Sequence, residues 1–189
     1  ISQLKNIRET HHDEFGGYFI FEDNQIISYE GTYGTGGEHD MDIQSDKLLM
    51  FHTHPPYKTR LYSPPSELDL GYLLTVCVRN MKSLSHLVFA EEGIYLFYPH
   101  PFLLHLTGPI ATNFEGNVDF VLKDSVQELR MLLGYSKEGI IYEPKIDLDT
   151  FIERINQMGF ILKLYPYINA NLNIQVTDNL KRYIIEKII

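Results

Sequence analysis

One stretch constrains the fold more than any other: KLLMFHTHPPYKTRLYSPPSELDL, residues 47–70. Residues 47–54 read as a strand that is apolar and then ends in two histidines one residue apart. Prolines at 55, 56, 64 and 65 bracket a loop that cannot be helical. Proline lacks the N–H that a helix needs and pushes the residue before it out of helical conformation. Ser66 then opens a helix of about a dozen residues, with Ser66 as its cap.

The remaining elements follow from pattern and punctuation. Residues 2–9 read as a short helix. GGYFIFED (16–23) and QIISYEGTY (25–33) read as two strands about a tight turn at Asp23-Asn24, followed by a glycine-rich loop over 34–40. LSHLVFA (84–90), the turn EEG and IYLFY (94–98) predict a hairpin. VDFVLKDSVQELRMLLG (118–134) predicts an amphipathic helix closed by Gly134. A boundary after Pro144 would divide the chain into a domain over 1–140 and an extension over 145–189. The extension reads as helix (148–159, stopped by Gly159), strand (160–167), strand (172–176) and a terminal helix (178–189). That last helix would place Leu180, Tyr183, Ile184 and Ile188 on one face, packed on the first domain or offered to a partner. The mixed order points to an α+β or three-layer α/β/α fold with a mixed, mainly antiparallel sheet.

Composition narrows the function classes. The 189 residues suit one domain, or one with a small appendage. With 44% hydrophobic and 22% charged residues, a packed core is expected rather than disorder. A net charge of −9 repels phosphate backbones, which argues against nucleic acid as the main partner. A single cysteine, Cys77, rules out an internal disulfide and a Cys-rich zinc finger, and favours a reducing, intracellular (cytoplasmic or nuclear) setting. No apolar run approaches the roughly 20 residues that span a bilayer. The first ten residues are too polar for a signal peptide, and a start at Ile1 reads as a fragment or a processed product.

Side chains alternate faces along a strand, so His52 and His54 present two imidazoles on one face. Two convergent imidazoles suit Zn²⁺ or a similar borderline metal, and a catalytic zinc site typically has three protein ligands. Asp69, in the first turn of the following helix, can supply the third. The plainer reading of SELD (66–69) is a capping box. The two readings are compatible, because Ser66 can cap the helix and also aim its hydroxyl into the site. A hydrolytic site also needs a base to take a proton from water and return it to a leaving amine. Glu14, just before the first strand, is the choice; Asp13, Glu22, Glu30 and Glu38 are rivals.

Taken in order, EFGGY with Glu14, then HTHP, then SELD resembles the signature of the JAMM (MPN+) metalloproteases: Glu, His-x-His-Pro, Ser-x-x-Asp. The resemblance covers roughly residues 1–135. It implies a cytidine-deaminase-like α/β/α architecture, zinc on His52, His54 and Asp69, Glu14 as general acid/base, and Ser66 steadying the oxyanion. It further implies an isopeptidase or peptidase acting after a ubiquitin-like or other extended protein tail, docked as an added strand. The chain departs from the family in the spacer PYKTRLYSPP (56–65), which is longer than usual. Ser63 fits the shorter spacing, but the residue three positions on is Ser66 rather than an acid. No long insertion follows Asp69, so the insertions that set ubiquitin-linkage choice in some members are not expected.

Other residues carry plainer readings. His11, His12 and His39 read as solvated loop histidines, and His86, His100 and His105 lack metal-like spacing to a partner. Cys77 reads as core. GTGG lacks the ending of a phosphate-binding loop. Two further functions fit the same pattern: a JAMM-like structural subunit of a larger assembly, and an amidase acting on small peptides.

Overall fold

The computed structural model describes residues 2–23, 25–34, 49–56, 62–80, 84–103, 117–134, 143–167, 171–177 and 182–188. The strand Leu49–Thr53 is buried at every position. A strand with both faces covered must lie inside a sheet that is itself sandwiched.

In chain order the elements are α1 (Ser2–Thr10), β1 (Phe15–Glu22), β2 (Gln25–Tyr33), β3 (Leu49–Thr53), α2 (Glu67–Asn80), β4 (Ser85–Phe89) and β5 (Ile94–Pro99). They continue with α3 (Asn117–Leu132), α4 (Leu148–Gln157), β6 (Phe160–Tyr165), β7 (Asn171–Thr177) and β8 (Arg182–Ile188). Six strands form one sheet in the order β2-β1-β3-β4-β5-β6. Among the described strands of this sheet, β3 and β4 run parallel and the other neighbours are antiparallel. This is a mixed α+β fold with a mostly antiparallel open sheet, as the pattern of elements implied.

Alternation along β3 separates two cores. Leu49 and Phe51 join Leu4 of α1, Phe15, Phe19, Leu87, Phe89, Ile94 and Leu96 on one face. Met50 joins the other, with Leu70, Leu73 and Cys77 of α2, Val126 and Leu129 of α3, and Phe151 and Ile155 of α4. Cys77 is buried there, as expected of a core residue. Phe160 and Leu162 of β6 belong to the same core, so α4 and β6 build onto the main sheet. Gly159 has φ +95 just past α4, the left-handed conformation that glycine adopts at helix ends.

The C-terminus departs from expectation. Residues 182–188 form a strand paired antiparallel with β7, not a helix. The run Arg-Tyr-Ile-Ile is rich in β-branched and aromatic residues, which favour strands. The spacing of Tyr183, Ile184 and Ile188 fits a helix face, but aromatic and β-branched residue types equally suit a strand. Leu180 lies outside the described residues. No helix among the described residues is long and apolar enough to cross a membrane.

Candidate metal centre

The site is built where β1, β3 and α2 meet. His52 and His54 point to the same side as Met50, the side that α2 covers. Their Nε2 atoms lie 2.9 Å apart. Two ring nitrogens this close cannot both present bare lone pairs to each other; a proton or a metal cation must sit between them. His54 Nδ1–H donates to the Ser63 carbonyl at 2.8 Å, and a carbonyl oxygen only accepts. Neutral His54 therefore carries its lone pair on Nε2, directed into the site.

Asp69 arrives from the first turn of α2. Its Oδ1 is 3.4 Å from His52 Nε2 and its Oδ2 3.7 Å from His54 Nε2. The capping box is also real: Ser66 N–H donates to Asp69 Oδ2 at 2.6 Å, and Asp69 N–H donates to Ser66 Oγ at 3.2 Å. One carboxylate thus closes the helix end and faces both imidazoles.

Register delivers Glu14. β1 and β3 pair antiparallel with Gly16 opposite His52. Continued by two residues, that register sets Glu14 opposite His54. The Phe15 N–H, which donates to Thr53 Oγ1 at 3.0 Å, pins the intervening position. Glu14 Oε1 is 3.8 Å from His54 Nε2. Among the rivals, Glu22 pairs with Gln25 at the far end of the hairpin and Glu30 lies on β2, one strand further out. Asp13 is exposed, and Glu38 lies outside the described residues.

Donor spacing tests whether a metal fits. Glu14, His52 and His54 offer ligand atoms all within 4.8 Å of one another, so this group can hold a metal ion. Asp69 approaches the same two nitrogens. Four tetrahedral donors at about 2.0–2.2 Å from one ion stand about 3.3–3.6 Å apart. The separations of 2.9 Å between the two imidazoles, 3.4 and 3.7 Å from them to the two Asp69 oxygens and 3.8 Å from His54 to Glu14 lie near that edge length.

Charge makes the same demand. Burial alone would lower the His54 pKa, but hydrogen bonding and charge from Asp69, with Glu14 and the Ser63 carbonyl, outweigh it and raise it above 6.5. Burial would raise the Asp69 carboxyl, yet His52, His54 and the Ser66 N–H hold it well below the usual carboxylate range. Two part-buried acids facing two buried imidazoles favour a positive charge between them, as a proton or as a metal ion.

Three supporting groups were not legible as such in the sequence. His86 Nε2 is 2.7 Å from His52 Nδ1. Ser63 orients His54 through its backbone carbonyl. Glu92 Oε1 accepts the Ser63 N–H at 2.7 Å and the Tyr95 hydroxyl, anchoring the loop that leads into α2. His86 emerges only once β3 and β4 are known to run parallel, which sets Met50 beside His86. Of the remaining histidines, exposed His11 packs on Tyr33 and exposed His12 and His100 lie outside the site, while His39 and His105 fall outside the described residues. No family model, curated protein or solved structure matches the chain.

Proposed function

We propose that this chain is a zinc-dependent peptidase or isopeptidase of the JAMM type, with the cytidine-deaminase-like arrangement that such enzymes share. The observation that carries the reading is the convergence of four side chains: two Nε2 atoms 2.9 Å apart, with Asp69 within 3.7 Å of both and Glu14 within 3.8 Å of one. His52, His54 and Asp69 would hold the ion. Asp69 is preferred to Glu14 as the third ligand because it faces both imidazoles and is fixed by the Ser66 N–H.

A zinc ion bound here supplies Lewis acidity and lowers the pKa of a water towards about 7. Glu14 takes the proton of the attacking water and returns it to the leaving amine, the two-way transfer that amide hydrolysis requires. Ser66 Oγ accepts from Asp69 N–H, which leaves its own O–H to donate to the developing oxyanion. The substrate class, an amide bond after an extended ubiquitin-like or other protein tail, follows from the signature Glu, His-x-His-Pro, Ser-x-x-Asp.

Cleavage of ubiquitin-like tail fusions by zinc-loaded protein tests this reading. Glu14→Gln is expected to keep zinc and lose about 10²- to 10⁴-fold in rate, the usual range for a removed acid/base group. A Glu14→Gln protein with zinc and a full rate would remove Glu14 from the chemistry.

A further inference from the structure

His86 stands outside the donor set, directly behind His52. The parallel register of β3 and β4 pairs it with Met50, and so sets it on the face that carries His52 and His54. It is 1% exposed. Its ring stacks on Phe97, its neighbour on β5, with centroids 5.0 Å apart and planes 14° apart. It meets His52 edge to face, with centroids 4.7 Å apart and planes at 84°. The stack and the burial leave the His86 ring little room to turn.

His52 Nδ1 and His86 Nε2 are 2.7 Å apart, so one proton lies between them. Two arrangements satisfy this. If His86 Nε2–H donates, neutral His52 keeps its own proton on Nε2 and has no lone pair for a metal. If His52 Nδ1–H donates, its Nε2 lone pair is free to face His54 and Asp69. His54 has no such choice, because its partner is a carbonyl.

We propose that His86 is a positioning residue for the metal centre: it accepts the Nδ1–H of His52 and holds that ring in its ligating tautomer and plane. The inference rests on the metal reading above. Metal-ligating histidines usually donate their second N–H to a carboxylate, carbonyl or water. Here a neutral imidazole fills that place, and adds no negative charge behind the ligand.

Zinc affinity of the full chain, measured by competition with a chromophoric chelator, tests the proposal. His86→Phe keeps a ring to stack on Phe97 but removes the acceptor. It is expected to weaken zinc binding by about 10- to 100-fold and to alter the visible spectrum of the Co²⁺-substituted protein. His86→Gln returns an acceptor and is expected to recover most of the affinity. Nitrogen NMR of the unaltered, zinc-loaded chain reads the tautomer independently of any variant: Nδ1–H is expected on both His52 and His86. An Nε2–H tautomer at His86, or zinc binding by His86→Phe as tight as in the unaltered chain, would overturn the proposal and leave the metal reading intact. An unaltered chain that binds no zinc would overturn both.

Discussion

At the scale of single residues, the proposed metal site sets a proton against a metal for the space between two imidazoles 2.9 Å apart. In the metal-free chain the raised His54 pKa favours the protonated form. That contribution to stability is fully present below 6.5 and is lost as pH rises through the raised value. Asp69 has the opposite sign: its contribution is present above its ordinary value of 3.8 and is lost on strong acidification. Zinc needs the neutral imidazole, so zinc affinity falls as pH drops below the raised His54 value. Competition titrations from about pH 8 down to about pH 5 should show this fall; a flat profile would mean that His54 does not ligate. The proposed ligand residues could be picked out because their geometry is local. His52 and His54 share a strand, and Ser66 and Asp69 share a helix turn. His86 was not legible, because it meets His52 across 34 residues of chain through a parallel pairing that no local pattern encodes.

At the scale of elements, the site depends on how closely β1 fits between its neighbours and on how α2 is held. A Cβ at Gly17 would lie 1.8 Å from the Glu30 carbonyl oxygen on β2. Backbone cannot give way there as a flexible side chain would. Gly17→Ala is therefore expected to destabilise the chain by at least about 1–3 kcal/mol. It should weaken zinc binding as well, since Gly17 sits one residue from the position opposite His52. A denaturant melt with an unshifted midpoint would contradict the register. On α2, Glu67 is clasped by Arg130 of α3, both side chains less than one-fifth exposed. Arg130→Met leaves that carboxylate without its charge partner, and a loss of about 1–3 kcal/mol is expected in the same melt. Most elements could be read from apolar periodicity and from proline and glycine punctuation. The exception was residues 182–188. There, apolar residues spaced for a helix face are mostly β-branched or aromatic, and the partner strand decided the outcome.

At the scale of the whole molecule, one parallel pair among the described strands of an otherwise antiparallel sheet positions the candidate site. Parallel β3 and β4 require a crossover, and α2 lies within it. That crossover returns Asp69 to the end of β3, beside His52 and, one residue past the strand, His54. The general fold class was legible from the order of elements, whereas the strand order was not, because it depends on pairings between distant segments. The chain-wide charge of −9 adds a favourable field for a cation and an unfavourable one for nucleic acid. The proposal that His52, His54 and Asp69 hold one zinc ion makes a stoichiometric prediction. Elemental analysis of the purified chain after zinc loading and desalting tests it most directly, with His54→Ala in parallel. One zinc per chain is expected in the unaltered protein and almost none in His54→Ala. No stoichiometric zinc in the unaltered chain, or an equal content in the variant, would contradict the account.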